Sequence, residues 1–104
     1  MSGNVTAQVR DEFGDVIKSD AEGGFALGAL LPEFADASFP HLRFVDPYGL
    51  TLFNGFQARV VIPELERLVP VTEDQRRAKA RVIEFAKYCA GGSPPGMYLV
   101  FVGD

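Results

Sequence analysis

The segment MYLVFV, residues 97–102, is apolar at all six positions. So short an apolar run is typical of a strand that is covered on both faces, because an exposed face would place a row of apolar side chains in water. We therefore predict an interior strand of a sheet, with Leu99 and Phe101 buried on one face and Val100 buried on the other. The remaining elements have to pack around this strand.

The N-terminal part predicts a hairpin and a further strand. In NVTAQVRD (4–11) apolar residues alternate with polar ones, which is typical of a half-buried strand. EFGD (12–15) has turn chemistry, and DVIKSD (15–20) predicts a short partner strand. GFALGALLP (24–32) is interpreted as a third strand, in which Gly28 marks a bulge or a close backbone contact.

The middle of the chain predicts a loop, a strand and a tight turn. PEFADASFP (32–40) begins and ends with proline and is interpreted as a surface loop. HLRFV (41–45) alternates again, which predicts a strand with Leu42 and Phe44 on one face. DPYG (46–49) predicts a type I turn, because Asp bonds the backbone two residues on, Pro fixes φ and Gly suits the last position.

A first helix is predicted after this turn. Asn54 and Gln57 form a capping-box pattern, but Pro63 would remove a backbone donor from the helix interior. We therefore expect a kink at Pro63 or a true start near it, and the choice of start stays open. The apolar residues that share one face of this helix are Val61, Leu65, Leu68 and Val69.

The segment VTEDQRRAKARVIEFAKYCAGG (71–92) predicts a second helix. Thr72 and Gln75 form another capping-box pattern, and Glu73 and Asp74 suit the positive end of the helix dipole. The predicted buried stripe is Ala78, Val82, Phe85, Ala86 and Cys89. The predicted exposed side is Arg76, Arg77, Arg81, Glu84 and Lys87.

These elements predict an α+β fold. Their order is strand, strand, an optional strand, strand, helix, helix, strand, which gives a mostly antiparallel sheet of four to five strands with two helices packed on one face. At 104 residues the chain has the size of one domain, 1–104, with a single hydrophobic core.

The charge of the chain is unevenly distributed. The net charge is −4, and residues 1–42 hold seven acids but only two bases. A surface that follows phosphates needs clustered Lys and Arg, so the composition argues against nucleic-acid binding and makes a basic protein the easier partner. A single cysteine, the lack of a signal-peptide pattern at the N-terminus and the lack of a membrane-length apolar run predict a soluble, cytoplasmic protein without membrane association.

No catalytic or cofactor motif is found in the sequence, such as G-x-S-x-G, C-x-x-C, H-E-x-x-H or a phosphate-binding loop. His41 is the only histidine, and it could act as a general base only if the fold placed it suitably beside Asp36 or Asp46. Cys89 lies near a helix C-terminus, where carbonyl groups raise a thiol pKa. We therefore favour a non-enzymatic function and predict no catalytic residues, no cofactor and no metal.

The stretch RFVDPYGLTLFNGFQ (43–57) is the best place for a binding site. In a structural interpretation, DPYG only shapes a turn, Phe44 and Phe53 fill the core, and Asn54 caps a helix. In a functional interpretation, polar residues converge near Asp104 at the end of the sheet, and the exposed Tyr48 anchors a partner. The residues of that tentative site are Arg43, Asp46, Tyr48, Asn54 and His41. Turn and cap chemistry favours the structural interpretation.

Two motifs in the last two-thirds of the chain resemble those of a known group. DPYGLTLFN (46–54) and YLVFVGD (98–104) are similar to the patterns D-P-Y-G-x-T-x-F-N and Y-L-x-F-x-G-D of a group of small uncharacterised bacterial proteins. In that group a proline opens the first helix at the position of Arg59, whereas here Pro63 follows four residues later. The resemblance implies a bacterial protein and brings no activity with it.

Three functional hypotheses follow. The first is a non-catalytic, acidic protein-interaction module, in concrete form an immunity-type inhibitor that covers a basic toxin or nuclease with its acidic N-terminal third. The alternative is a small-molecule-binding or enzymatic domain whose site is formed by Arg43, Asp46, Tyr48 and Asn54. The third is a homodimer built through exposed strand edges or through the Phe-rich loop.

Overall fold

The computed structural model describes residues 3–104. Its strands are β1 (Val5–Arg10), β2 (Val16–Ser19), β3 (Leu50–Phe53) and β4 (Tyr98–Gly103). Its α-helices are α1 (Gly24–Leu30), α2 (Gly55–Arg67) and α3 (Glu73–Ala90), and a 3-10 helix spans Leu42–Phe44. The fold is α+β, as predicted, with three helices where two were predicted and with a different order of elements.

The four strands form one antiparallel sheet in the order β2-β1-β4-β3. β4 lies between β1 and β3, and Leu99, Val100 and Phe101 are all buried, which confirms the predicted interior strand. β1 has the predicted alternation, with Val5, Ala7 and Val9 in the core. The helices therefore pack on the β1 face that carries these three residues, because the same side chains belong to the core cluster.

The two long helices carry their apolar residues as predicted. All five residues of the predicted α3 stripe are buried, and the five residues predicted on its opposite side are exposed. α2 begins at Gly55 and continues through Pro63 to Arg67, so the true start is at the Asn54 cap. Pro63 lies inside this helix, and its ring is exposed. Val69 was predicted on the buried face, but it follows the end of α2 and is exposed.

The segment predicted as a third strand is a helix, α1. Its buried residues Leu27 and Leu30 are spaced three apart, as on one side of a helix, and two glycines hid this pattern. Gly28 does mark a close backbone contact, because a Cβ at this position would overlap the carbonyl of Gly3. The helical conformation and the contact with Gly3 are therefore both decided by tertiary packing, which propensity does not show.

The strand predicted at residues 41–45 is a 3-10 helix, and the sheet takes its strand from the residues after the turn. Leu42 is buried but Phe44 is 59% exposed, so the two residues do not share a face. On the side away from β1, β4 pairs with β3, whose residues Leu50–Phe53 directly follow DPYG. Residues 32–40 contain no helix or strand, in agreement with the predicted loop. Within residues 3–104, no helix combines the length and the apolar character that crossing a bilayer requires.

Candidate functional site

The DPYG turn (46–49) is held by hydrogen bonds of its own residues. Asp46 Oδ1 accepts from the backbone N–H of Tyr48 at 2.8 Å, as in an Asx turn, and the Asp46 N–H donates to Thr51 Oγ1 at 2.8 Å. The turn is tied to the end of β4, because the Gly103 N–H donates to the Gly49 carbonyl at 2.7 Å. The carboxyl group of Asp46 therefore has a structural role in this corner.

Tyr48 is the exposed aromatic side chain of the turn. It is 84% exposed, while the backbone around it is fixed by Asp46 and Gly103. A large amphipathic ring on an ordered turn loses little conformational entropy when it binds a partner.

Asn54 lies at the other end of β3 from the DPYG turn. It caps α2 with a full capping box, in which Asn54 Oδ1 accepts from the Gln57 N–H and Gln57 Oε1 accepts from the Asn54 N–H, both at 2.9 Å. In the register of the sheet, Leu50 pairs with Val102 and Phe53 with Leu99, so the turn and the cap sit at opposite ends of the sheet. The structure therefore does not bring Asn54 together with Asp46 and Tyr48 within one chain.

Arg43 belongs to a separate aromatic cluster. Its guanidinium carbon lies 4.7 Å from the ring centroid of Phe34 and 5.5 Å from that of Phe44, and its Nε donates to the Phe34 carbonyl at 2.7 Å. The two rings meet edge to face at 5.5 Å. Phe44 was predicted in the core, but cation–π and ring contacts hold it on the surface instead. Phe53, the other predicted core aromatic, is buried against Phe101.

His41 is paired with Glu64 of α2. The His41 Nδ1 lies 2.6 Å from Glu64 Oε2, and Glu64 Oε1 accepts from the backbone N–H groups of His41 and Leu42, each at 3.0 Å. Glu64 is only 4% exposed, and it is the one buried charged side chain of residues 3–104. The structure thus pairs His41 with Glu64 rather than with Asp36 or Asp46.

Sequence reasoning missed Glu64, although a signal was present. Glu64 lies between Val61 and Leu65 on the buried side of α2, where a charged residue is out of place. An acid on an apolar stripe indicates a buried partner, here the start of the 3-10 helix. Asp36 has a different role: hydrogen bonds from the Ser38 side chain and backbone N–H hold the pKa of its carboxyl below the usual 3.8.

Two cavities open on the surface. One, of about 420 Å³, lies between the start of α1 and the exposed side of α3 and is lined mainly by charged residues. The other, of about 470 Å³, lies at the start of α2 and includes Asn54, Phe56, Arg59 and Tyr98 in its wall. Neither of these two cavities is lined by Asp46 or His41, so neither joins the residues of the predicted small-molecule site.

The turn between β1 and β2 presents a second exposed aromatic residue. Asp11 Oδ1 accepts from the N–H groups of Phe13 and Asp15, both at 2.9 Å, which orders the turn. Phe13 at its tip is 81% exposed. The acids at residues 11–22 form no ion pair within the described part of the chain; they are Asp11, Glu12, Asp15, Asp20 and Glu22.

Cys89 is buried on α3, as predicted, and burial raises the pKa of its thiol from 9.0 to about 11. Such a shift lowers the thiolate fraction below pH 9 by roughly 100-fold. We expect a thiol-reactive disulfide reagent to label the folded protein at least that much more slowly than the urea-unfolded protein, in which the thiol is ordinary. Because the folded-state pKa is raised, this group contributes stability below pH 9 that is lost as the pH rises through 11. Similar labelling rates in both states would contradict this.

The role of Asp46 can be tested by two substitutions. Asp46→Ala removes the acceptor for the Tyr48 N–H, so we expect the free energy of unfolding to fall by about 1 kcal/mol. Asp46→Asn keeps an acceptor oxygen and should leave this free energy almost unchanged. Urea unfolding of both variants at low protein concentration checks the pair, and an equal loss in both would show that the charge, and not the turn hydrogen bond, stabilises the corner.

Comparison of the chain with protein families, curated proteins and solved structures found no match in any of the three. The described residues also contain no group of three or more His, Cys, Asp or Glu side chains that could hold a metal ion. The proposal that follows is therefore based on the geometry and charge of this chain alone.

Proposed function

We propose that this protein is a non-catalytic interaction module that binds a basic protein through the β1–β2 turn and the acids around it. The concrete form of the proposal is an immunity-type inhibitor, which neutralises a basic toxin or nuclease by covering it. The observation that carries the proposal is the ordered turn 11–15, which exposes the Phe13 ring among carboxyl groups that have no ion-pair partner within the described residues.

The physical chemistry of this turn suits a basic partner. An exposed aromatic ring on a fixed backbone supplies a central anchor for an apolar pocket. Unpaired carboxyl groups around it raise the association rate with a positively charged surface and disfavour acidic competitors. The remaining exposed acids of α3 are less available, because Glu73, Asp74 and Glu84 pair with arginines of the same helix.

The first test identifies the partner by contact. A photo-crosslinking phenylalanine analogue at position 13, in cells that express the protein naturally, is expected to form an adduct with a basic protein. The same analogue at Val69, which is equally exposed but lies between α2 and α3, is the matched control. Adducts from both positions alike, or an acidic partner, would contradict the proposal.

The second test measures the charge contribution with the purified partner. Neutralising Glu12 and Asp15 as Glu12→Gln and Asp15→Asn should lower the association rate roughly fivefold at low salt and weaken its salt dependence. Both residues are exposed, so folding should be unaffected. An unchanged rate and salt dependence would exclude this surface.

The alternative function, a small-molecule or enzymatic site around Arg43, Asp46, Tyr48 and Asn54, receives no support from the geometry. Arg43 is held in the Phe34–Phe44 cluster, and Asn54 lies at the far end of β3 from Asp46. These residues would need a second chain to meet.

A further inference from the structure

β3 is an edge strand whose outer side has free backbone groups. Gly49 pairs with Gly103 through the hydrogen bond from the Gly103 N–H, and bonded pairs alternate along an antiparallel ladder. Thr51 and Phe53 therefore use their N–H and C=O groups toward β4, while those of Leu50 and Leu52 point away from the sheet. Within residues 3–104, no turn or loop backbone group bonds to Leu50 or Leu52.

This edge lacks the features that keep strand edges apart. The opposite edge, β2, contains a bulge where the register shifts opposite Arg10, and it includes Lys18. β3 has the sequence LTLF, without charge, proline or bulge. Leu50 and Leu52 are 54% and 51% exposed on the sheet face that no helix covers. An uncharged apolar edge of this kind is a template for another strand.

We propose that two copies of this chain pair through their β3 strands, antiparallel, about a twofold axis at Thr51. In this arrangement Leu50 of one copy lies opposite Leu52 of the second copy on both sides of the axis. It is the only register in which the outward N–H and C=O groups of Leu50 bond those of Leu52. Thr51 then faces Thr51 of the second copy as a pair without hydrogen bonds. The four leucines form one apolar cluster beside Val100 and Val102 on the open face.

Charge complementarity at the ends of the paired strands favours a second copy as the occupant. The register brings the DPYG turn of one copy next to Asn54 and the first turn of α2 in the other. Asp46 approaches Arg59, which bonds the Ala90 carbonyl through Nε and has no carboxyl partner within the described residues.

The exposed aromatic residues meet in the same place. Tyr48 of one copy reaches the cavity of about 470 Å³ that Asn54, Phe56 and Arg59 line in the other. Phe56 is itself exposed, and the guanidinium carbon of Arg59 lies 5.7 Å from its ring centroid. A second aromatic ring fits this environment by stacking and cation–π contact. Asp46, Tyr48 and Asn54, which are apart in one chain, thus meet across the dimer.

The dimer does not depend on the proposed function. β3 and the β1–β2 hairpin are at opposite edges of the sheet, so pairing through β3 leaves both Phe13 turns accessible. Failure of either proposal is therefore recognised separately, by molar mass for the dimer and by crosslinking at position 13 for the partner.

The test is the molar mass of the natural chain in solution over a wide concentration range. We expect a dimer that dissociates on dilution, and slow amide hydrogen exchange of Leu50 and Leu52 only in the dimer. Leu52→Pro removes an outward N–H that bonds nothing in the monomer, so it should give a folded monomer. Ile17→Lys on the opposite edge strand, β2, is the control, and it should leave the dimer unchanged.

Two further variants test the ends of the interface. Tyr48→Ala should weaken dimerisation about tenfold. Asp46→Asn should weaken it as well, while the unfolding free energy measured at low concentration stays the same. A natural chain that is monomeric at every concentration, a dimer that survives Leu52→Pro, or a natural dimer whose Leu50 and Leu52 amides exchange freely would overturn the proposal. If Leu52→Pro fails to fold, the amide exchange of the natural chain still decides.

Discussion

Replacing Glu64 with alanine is expected to lower the free energy of unfolding by about 4 kcal/mol. Its carboxyl group is buried and accepts three hydrogen bonds, two from backbone N–H groups of His41 and Leu42 and one that joins it to His41 Nδ1. Alanine leaves two backbone donors without an acceptor, of which the Leu42 N–H is buried and the His41 N–H partly buried. Each such orphaned group costs about 1–3 kcal/mol, and a small cavity adds to this loss.

Two matched variants separate the parts of this effect. Glu64→Gln keeps an oxygen for the two backbone donors and should cost about 1 kcal/mol. His41→Ala removes only the partly exposed side-chain contact and should cost no more than that. In urea unfolding, we expect the largest loss of unfolding free energy for Glu64→Ala and smaller losses for Glu64→Gln and His41→Ala. A loss below about 1 kcal/mol for Glu64→Ala would show that the 3-10 helix does not need this acceptor.

Replacing Gly103 with alanine is expected to lower the free energy of unfolding by about 3 kcal/mol, the upper end of the usual overpacking range. A Cβ at Gly103 would overlap the backbone of Asp46 and Pro47. These atoms belong to the DPYG turn and cannot rotate away as a side chain can. The turn would have to separate from β4, which would break the hydrogen bond from the Gly103 N–H to the Gly49 carbonyl.

Gly49→Ala is the control for this substitution. A Cβ at Gly49 would lie 2.9 Å from Asp46 Oδ2, the end of a side chain that is exposed and can move. We expect a loss of about 1 kcal/mol or less. Thermal or urea unfolding of both variants compares them directly. If the two glycines prove equally replaceable, the close packing of the turn on the end of β4 does not hold in solution.

The elements that were predicted correctly are those whose burial is the same along their whole length, so that the sequence repeats one pattern of apolar residues. α3 repeats its apolar residues at the helical period over five turns, and MYLVFV had no polar residue to expose. α1, the 3-10 helix and β3 have three to seven residues each, and in such short segments alternation and helical spacing look alike. Tertiary packing decided the structure of these segments. In α1, Gly28 makes a close backbone contact, and at the 3-10 helix Glu64 is a buried acceptor for the N–H groups of residues 41 and 42. The segment LTLF forms β3 because it can pair with the free edge of β4.

The candidate site divides in the same way. The DPYG turn and the Asn54 capping box were predictable because each is made by residues close in sequence. The pairing of His41 with Glu64 joins residues 23 positions apart, and the Arg43 cluster needs the path of the loop 32–40. Local chemistry is visible in a sequence, whereas the convergence of distant side chains is a property of the fold.

The position of β4 has a consequence for the order in which the sheet is made during synthesis. β1 and β3 are neighbours of β4 but not of each other, and β4 is the last of the four strands along the chain. On the ribosome, β1 and β2 can form their hairpin early, but β3 has no strand to pair with until β4 has left the exit tunnel. The apolar residues of α2 and α3 meanwhile lack most of the sheet on which they pack. The core should therefore close only once β4 is available to pair with both of its neighbours.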